Sequence, residues 1–527
     1  MIGRGRAGRH RAARLRVAVA SVLLALGTGA VAADLAATRA QIDAILAEPR
    51  FAAASWGIQV QSLDSGRVVY AHEADRLRVP ASTAKLYTAA LALATFGADY
   101  RIPTVLFATA PPARDGELHG DLVLVGYGDP ALGADPAASW ADTLAIALRK
   151  EGVTRVHGDL VADATRFAAP RYGSGWEAGD LQSWFGAPAS ALSVDENLVT
   201  VQVRPGAAVG DRALLRFEPP GSAPELVNRL VTVARSAGSD GSDVGLLRAP
   251  GERTLHAFGT IAAGSAERPY RLALADPAAV AGAQLQAALT RQGVTVDGRV
   301  RSVYWPEVRG ERDAADAGRL RRIAQVESPP LGDLVRRGLK VSQNLYMQNL
   351  FLLVGAAEAD AAHAANPDAA GFTGTEQRAA NALRRYLTGL GIAPQRAFVE
   401  DGAGLSRRNL TTASALTALL VHWGDGESGA PFRLALPQAG VDGSLTGRLR
   451  DTPAQGRVYA KTGAMSGVYA LAGYLTTAAG ERLAFTLLLN QYLPPEDGKA
   501  GRPSGELDRI VLALTALDQR SAPAAAQ

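Results

Sequence analysis

Val79-Pro80-Ala81-Ser82-Thr83-Ala84-Lys85 is the stretch on which the interpretation of this chain depends. Pro80 is a turn-forming residue, and an apolar run of helical length follows Lys85, so we predict a helix that begins at or near Ser82. Three residues make about one helical turn, which places Ser82 and Lys85 on the same helix face. A lysine whose pKa is lowered by burial or by a neighbouring charge can take the proton of such a hydroxyl. The pattern therefore indicates a serine nucleophile with a lysine base.

The same residues are also compatible with an ordinary helix cap followed by a solvated lysine. The lysine usage of the chain favours the chemical interpretation, because 50 of the 55 basic residues are arginines. Arginine stays charged and cannot replace an amine that must titrate. Each lysine is therefore a candidate for function, and the five are Lys85, Lys150, Lys340, Lys461 and Lys499.

Residues 1–32 have the pattern of a secretory signal peptide. Six arginines precede the apolar run Val17–Leu26, and Ala30-Val31-Ala32 is a typical cleavage signal. The apolar run is too short for a comfortable transmembrane helix. We therefore predict cleavage after Ala32, a periplasmic location and no stable membrane span in the mature protein. An uncleaved membrane anchor is the alternative.

Composition excludes several classes of function. Subtracting the six arginines of residues 1–32 from the 55 basic residues leaves 49 against 51 acidic residues, a net charge of −2. Binding to nucleic acid therefore has no electrostatic support. The absence of cysteine from the sequence excludes disulfides and thiol catalysis. None of the seven histidines stands in H-x-x-x-H spacing, so we expect no histidine metal site and no Ser-His-Asp triad.

Two further motifs each include or adjoin a lysine. Ser342-x-Asn344 lies in a short break between two predicted helices, two residues after Lys340. Lys461-Thr462-Gly463 ends the first strand of a predicted C-terminal antiparallel meander. Each motif alone is a weak signal. The ordered triple, on a helix start, an interhelical loop and the edge of a sheet, is a strong one.

With these motifs the chain resembles the D-alanyl-D-alanine carboxypeptidase/endopeptidase family, the class C low-molecular-mass penicillin-binding proteins. The resemblance covers nearly the whole mature chain. It extends to Gly128-Asp129-Pro130, Gly175-Trp176 and the segments 186–193, 401–407 and 439–445. The two serine motifs, at Ser82 and Ser342, are 260 residues apart, whereas class A β-lactamases keep them much closer together.

The resemblance implies an α+β fold of the penicillin-binding/β-lactamase-like transpeptidase type, in which helices flank an antiparallel sheet. A large insertion with a nested small β domain is expected to interrupt this fold. The expected units are a signal peptide (1–32), the transpeptidase-like domain (33–100 and 313–520), the insertion domain (101–198 and 261–312), the nested β domain (199–260) and a disordered tail (521–527).

The function implied by the resemblance is that of a serine D-alanyl-D-alanine carboxypeptidase. It would act on peptidoglycan stem peptides through an acyl-enzyme on Ser82, with Lys85 as the favoured base, and would need no metal or organic cofactor. Ser342 and Asn344 would relay a proton to the leaving amine and bind the peptide, and Lys461 would supply positive charge. The same machinery would cut cross-bridges as a D,D-endopeptidase and would react with β-lactams as covalent inhibitors. The alternative is a catalytically idle wall- or β-lactam-binding protein.

The other implied site residues surround the substrate. Backbone N–H groups of Ser82 and Ala464 would form the oxyanion hole, and Thr462 would bind the terminal carboxylate. The implied substrate-binding residues are Thr462, Gly463, Ala464, Met465, Arg407 and Asp180, the last as the contact for a side-chain amine. Two positions depart from the family pattern, since Ala464 and Ala403 stand where the family commonly has hydroxyl residues.

Overall fold

The computed structural model describes residues 34–135, 137, 139–219, 221–235, 241–305, 320–366, 372–424, 429–494 and 503–521. The predicted signal peptide and residues 522–527 of the predicted tail lie outside the described residues. The α-helices of the described residues are α1 (Leu35–Leu46), α2 (Lys85–Phe96), α3 (Trp140–Lys150), α4 (Pro277–Arg291), α5 (Leu331–Lys340), α6 (Asn344–Ala365), α7 (Thr375–Gly389), α8 (Ala413–Gly424), α9 (Ala430–Leu434) and α10 (Ser504–Thr515). None of them is long and apolar enough to cross a bilayer.

The strands form two large sheets and several small ones. Their bounds are β1 (Ser55–Ser62), β2 (Val68–His72), β3 (Pro103–Ala108), β4 (Glu117–Leu118), β5 (Leu122–Gly126), β6 (Arg155–Val156), β7 (Leu160–Asp163), β8 (Leu198–Arg204), β9 (Leu214–Glu218), β10 (Glu225–Asn228), β11 (Val231–Val233), β12 (Asp243–Leu247), β13 (Thr254–Ala262), β14 (Arg268–Ala273), β15 (Thr295–Val296), β16 (Val300–Val303), β17 (Arg321–Glu327), β18 (Ala397–Phe398), β19 (Leu410–Thr411), β20 (Val458–Met465), β21 (Val468–Thr476) and β22 (Arg482–Asn490).

The first large sheet is antiparallel and has the order β2-β1-β22-β21-β20. Successive side chains of β22 point to opposite faces of the sheet, and helices cover both faces. Leu483, Phe485 and Leu487 pack with helices α1 and α10, whereas Ala484 faces the helical core that contains α2. An antiparallel sheet between two helical layers confirms the predicted α+β class. Strand β20 is left at one edge.

The apolar helix α2 crosses the centre of this helical core. Every residue from Lys85 to Leu93 is buried, as expected for a helix that is surrounded on all sides. The helix ends at Gly97, whose φ of 78° suits glycine. The helical stretch begins near Ser82 as predicted, because the 3-10 turn Ala81–Ala84 leads directly into α2. Ser82 lies inside a 3-10 turn that precedes α2, and the hydroxyl that bonds the carbonyl of Pro80 belongs to Thr83. Ser82 is therefore not a helix cap, which leaves its hydroxyl available.

The second large sheet lies within the insertion and has the order β16-β7-β5-β3-β17. Strands β5, β7 and β16 are parallel, and the two strands at the other edge are antiparallel. Helices α3 and α4 pack on this sheet through a core that includes Leu144 and Leu285. Because β17 pairs with β3, the sheet contains strands that precede the nested unit in the sequence and strands that follow it, and it extends to Glu327.

The nested β unit comprises two small sheets. Strand β8 pairs with β9 on one side and β14 on the other, and β13 pairs with β10, β11 and β12. A core that includes Val201, Leu230 and Ile261 joins the two sheets. From the pairing of β14 with β8 we propose that this unit spans residues 198–273. From the pairing of β17 with β3 we propose that the whole insertion spans residues 103–327.

Candidate active site

The three sequence motifs meet where the 3-10 turn, the α5–α6 loop and strand β20 come together. The Nζ atom of Lys85 lies 2.9 Å from Oγ of Ser82 and 2.6 Å from Oδ1 of Asn344. The Nζ atom of Lys461 lies 2.9 Å from Oγ of Ser342. The structure therefore brings together all five residues predicted to be catalytic. Their catalytic roles stay predictions.

Lys85 has the environment that a lysine base needs. The side chain is fully buried, and its amine also donates to the backbone carbonyl of Ala403. Burial lowers the pKa of Lys85 to about 7, while the charge of Asp401 raises it. A substantial fraction of the amine is therefore neutral near pH 7 and can accept a proton from Ser82.

Lys461 is the second fully buried lysine. Its amine donates to Ser342 and to the backbone carbonyl of Thr462, the latter at 2.7 Å. Burial, assisted by the charge of Lys85, lowers the pKa of Lys461 well below its ordinary value. The arrangement places a titratable amine next to the Ser342 hydroxyl.

The loop between α5 and α6 holds Ser342 in a strained conformation. Ser342 has φ 59°, in the left-handed region that non-glycine residues rarely adopt. Asn344 begins α6, and its Nδ2 atom donates to the backbone carbonyl of Phe185 at 2.7 Å. Its amide is therefore fixed by Lys85 on one side and by a segment of the insertion on the other.

Strand β20 carries the third motif in its interior. It runs on to Met465, so Lys461-Thr462-Gly463 does not end the strand as predicted. At Gly463 a Cβ atom would lie 2.8 Å from the carbonyl oxygen of Pro80, which is too close. Glycine therefore permits the strand to pack directly against the turn that carries Ser82.

Because β20 is an edge strand, alternate backbone N–H groups point away from its neighbour. The N–H group of Ala460 donates to the carbonyl of Pro437, outside the sheet. The strand pairs regularly with β21, so the N–H group of Ala464 lies on the same outward edge. This position suits the predicted oxyanion donor. The Ala464 side chain is exposed.

Arg407 contacts residues near Asp180 and Met465 in the sequence. The Nε atom of Arg407 donates to Oε1 of Glu177 at 2.7 Å, and an Nη atom donates to the carbonyl of Ser466, next to Met465, at 3.2 Å. Burial and the charge of Glu177 raise the pKa of Asp180, while Arg407 lowers it. Arg407 thus joins the segment that contains Asp180 to the end of β20.

No role was predicted for Ser444, although it lies in the segment 439–445 that resembles the family. The Oγ atom of Ser444 lies 2.8 Å from Oγ1 of Thr462, within hydrogen-bond distance. The loop is held by Asp442, which accepts from Lys340 at 2.5 Å. A second hydroxyl therefore stands beside Thr462, close to the position where Ala464 lacks one.

Glu196 is a second residue that sequence reasoning missed, because no motif contains it. It follows strand β7 by a long loop and has φ 56°, between two other left-handed residues. Its carboxylate is 3.0 Å from Nη2 of Arg337 in α5, 3.4 Å from Nε2 of Gln343 and 3.3 Å from the hydroxyl of Tyr346 in α6. One buried carboxylate of the insertion therefore contacts both helices and the loop of the S-x-N motif.

A metal site is not apparent in the part of the chain that the structure describes. Among those residues no group of three or more histidine, aspartate or glutamate side chains could hold a metal ion.

Comparison with known proteins identifies the family. The model of the D-Ala-D-Ala carboxypeptidase 3 (S13) family matches residues 38–508. The chain is 34% identical to the D-alanyl-D-alanine carboxypeptidase of Actinomadura sp. (strain R39) over 539 residues, which cover 99% of this chain and 94% of that protein. It is 28% identical to the D-alanyl-D-alanine carboxypeptidase DacB of Haemophilus influenzae over 83% of this chain and 85% of that protein.

Solved structures show the fold. Penicillin binding protein 4 (dacB) from Haemophilus influenzae is similar with a TM-score of 0.74 at 23% identity, covering 89% of this chain and 97% of that one. The same protein complexed with a novel β-lactam gives a TM-score of 0.68 at 22% identity, covering 90% and 98%. The predicted penicillin-binding fold is thereby confirmed.

Proposed function

Because this chain belongs to the D-Ala-D-Ala carboxypeptidase 3 (S13) family, we propose that it removes the last D-alanine from peptidoglycan stem peptides through a covalent ester on Ser82. The observation that carries the proposal is the pair of buried lysines, each 2.9 Å from a serine hydroxyl. In a chain with five lysines among 55 basic residues, this arrangement supplies two titratable amines where a serine acyl transfer needs them.

The acylation step begins at Ser82. Neutral Lys85 accepts the hydroxyl proton as Oγ attacks the carbonyl carbon between the last two D-alanines. The oxyanion that forms is held by the backbone N–H groups of Ser82 and Ala464, where the loss of one donor typically costs about 3 kcal/mol. The geometry of edge strand β20 supports the second donor.

Collapse of the tetrahedral intermediate breaks the peptide bond. The leaving amine of D-alanine takes a proton through Ser342, which Lys461 supplies in turn, and the acyl group stays on Ser82 as an ester. Water then attacks the ester, Lys85 returns its proton to Ser82, and the peptide leaves with a new carboxylate. Of the two protons that the water loses, one restores Lys461 and the other passes to the solvent. Asn344 orients Lys85 throughout, since its Oδ1 atom accepts from the amine.

Recognition of the substrate is assigned to groups around this centre. Thr462 and Lys461 bind the terminal carboxylate, with Ser444 fixing the Thr462 hydroxyl. Arg407, Met465 and Asp180 border the side chain of the preceding residue, where Asp180 would meet an amine. A longer peptide fits the same groups, so cross-bridges are cut as well. The β-lactam complex of the Haemophilus influenzae relative supports acylation of Ser82 by β-lactams.

One experiment tests the enzyme against the idle binding protein. The purified protein is labelled with a fluorescent penicillin, and release of D-alanine from a diacylated peptide ending in D-Ala-D-Ala is followed in parallel. We expect labelling at Ser82 and D-alanine release, both lost in Ser82→Ala. Labelling without turnover on this peptide or on purified muropeptides would establish the idle binding protein instead.

Export is the remaining part of the proposal. The signal pattern of residues 1–32 supports secretion to the periplasm with cleavage after Ala32. N-terminal sequencing of the exported protein should give Ala33 as the first residue. A mature protein that retains the six-arginine segment would contradict it.

A further inference from the structure

A pair of adjoining cavities lies between the nested β unit and the rest of the insertion. Each has a volume of about 380 Å³. They share Gln182, Arg248, Arg253, Ala275 and Asp276 in their walls, and none of the motif residues lines either of them. These cavities are therefore separate from the candidate active site.

Arg248 is the unusual residue of these walls. It is only 8% exposed, yet the hydrogen bond that its guanidinium makes is to a backbone carbonyl, that of Ala273, at 2.8 Å. Among the described residues no carboxylate forms an ion pair with Arg248. By contrast, the similarly buried Arg78 is paired with Glu73.

An unpaired buried guanidinium is costly, because it loses hydration without gaining a counter-charge. It stays protonated, since arginine does not give up its proton in proteins. An anion in the cavity would offset that cost and could accept two parallel N–H donors from the planar group. Arg253, which lines both cavities, and Arg171, which lines the second, add positive charge nearby.

The other lining residues restrict the class of anion. The first cavity has an aliphatic wall that includes Val199, Leu255 and Val280, which favours a ligand with an apolar body. Three carboxylates also line the cavities, Asp276 both of them, Glu225 the first and Glu252 the second. They would repel a doubly charged phosphate more strongly than a single carboxylate.

We propose that these cavities form a second binding site, in which Arg248 holds the carboxylate of a monoanion with an aliphatic body, such as the acidic end of a peptide. The guanidinium binds the carboxylate, and the aliphatic wall covers the remainder. Ala273 keeps the guanidinium in place through its carbonyl.

The test is isothermal titration calorimetry of the full chain with N-acetyl-L-leucine, its uncharged amide and inorganic phosphate. We expect the acid to bind with one site and both comparison compounds to bind at least tenfold more weakly. Arg248→Met should weaken binding of the acid at least tenfold. Arg235→Gln, an exposed arginine of the same β unit, and Arg407→Gln, at the active site, should leave it unchanged.

Equal binding of the amide or of phosphate, or unchanged binding by Arg248→Met, would overturn the proposal. If Arg248→Met does not fold, wild-type crystals soaked with 5-bromovalerate give an independent answer. The bromine signal should lie along the aliphatic wall, with the carboxylate within hydrogen-bond distance of Arg248. Bromine found only elsewhere, or none in the cavities, rejects the site.

Discussion

At the scale of single residues, the proposed proton transfers depend on the difference between lysine and arginine. Both are cations in water, but only an amine can lose its proton at an accessible pH. The buried position of Lys85 brings its pKa to about 7, so replacing it tests proton transfer rather than charge.

We expect Lys85→Arg to lower the rate of acylation by about 10²–10⁴-fold, the usual contribution of a general base. The reason is that the guanidinium keeps its proton. The measurement is the rate of labelling by a fluorescent penicillin, with Lys150→Arg on an exposed helix end as the control. Acylation by a folded Lys85→Arg at a rate close to wild type would show that another group is the base.

The hydroxyl of Ser444 gives a second prediction. A neutral hydrogen bond contributes about 1 kcal/mol, so Ser444→Ala should lower kcat/KM for a D-Ala-D-Ala peptide about fivefold by freeing Thr462. Ala464→Ser supplies a new hydroxyl at an exposed position and should raise kcat/KM by roughly fivefold or more, in either background. Steady-state hydrolysis by the two single variants and the double variant measures both effects.

Thr446→Ala is the control for this pair, because its hydroxyl bonds within the same loop, to the carbonyl of Gly443, and does not contact Thr462. If Ser444→Ala and Thr446→Ala have equal effects, the loop matters and the contact with Thr462 does not. If Ala464→Ser changes nothing while Thr462→Val abolishes hydrolysis, Thr462 alone binds the carboxylate.

Asp129 yields a prediction about stability. Burial raises its pKa to about 7, although the hydrogen bond from the Ala131 N–H group lowers it. Between about pH 4 and 7 the unfolded chain ionises this carboxyl and the folded chain does not, so its contribution to stability falls as pH rises. Asp129→Asn lacks this loss. The free energy of unfolding of Asp129→Asn minus that of wild type should therefore be ~2–3 kcal/mol larger at pH 8 than at pH 5.

The matched control is Asp115→Asn. That exposed carboxylate makes the same kind of bond, to the N–H group two residues ahead, but is not buried. Chemical unfolding at the two pH values measures both variants. A pH-independent difference between Asp129→Asn and wild type would mean that Asp129 is ionised in the folded protein.

At the scale of secondary-structure elements, the S-x-N motif depends on how α5 and α6 are held. Glu196 reaches both helices and the side chain of Gln343, so we assign it a positioning role. Glu196→Gln keeps the shape and removes the charge that binds Arg337. We expect about a tenfold lower kcat for peptide hydrolysis, because the loop that carries Ser342 and Asn344 is less restrained.

The pH profile distinguishes positioning from direct chemistry. The midpoint of the acylation profile near pH 7 should be the same in wild type and Glu196→Gln, because Glu196 does not contact Lys85. Glu358→Gln removes an exposed carboxylate that pairs with Arg385 and serves as the control. A shifted midpoint in Glu196→Gln, or activity equal to the control, would remove Glu196 from the positioning residues.

Elements were predictable where the sequence pattern is local. Helix α2 and the strands of the C-terminal meander follow from apolar runs and glycine turns, and the structure has them within a few residues of the expected positions. The helical stretch begins near Ser82 as expected, but Ser82 does not cap it, and the hydroxyl that bonds within the turn is that of Thr83. The end of β20 was mispredicted because Gly463, which usually indicates a strand end, is there for close packing against Pro80.

At the scale of the whole molecule, the motif triple was sufficient for the family and fold, because each motif lies on a different element and their order restricts the topology. The contacts of Glu196 and Ser444 could not be foreseen, since they join residues far apart in sequence through loops without periodicity. The pairing of β17 with β3 is of the same kind. The proposed limits of the insertion, 103–327, therefore rest on the sheet.

The great sequence distance across the candidate active site has a consequence for folding. The contact between Lys85 and Asn344 spans 259 residues, and that between Lys85 and Ala403 spans 318. Each doubling of a loop costs only about 0.6 kcal/mol in equilibrium stability, but contacts of high sequence separation form slowly. On dilution from urea, the insertion should regain its tryptophan fluorescence before the protein regains its reaction with penicillin. Recovery of the reaction with penicillin before that of the fluorescence would show instead that the two halves of the outer domain join before the insertion folds.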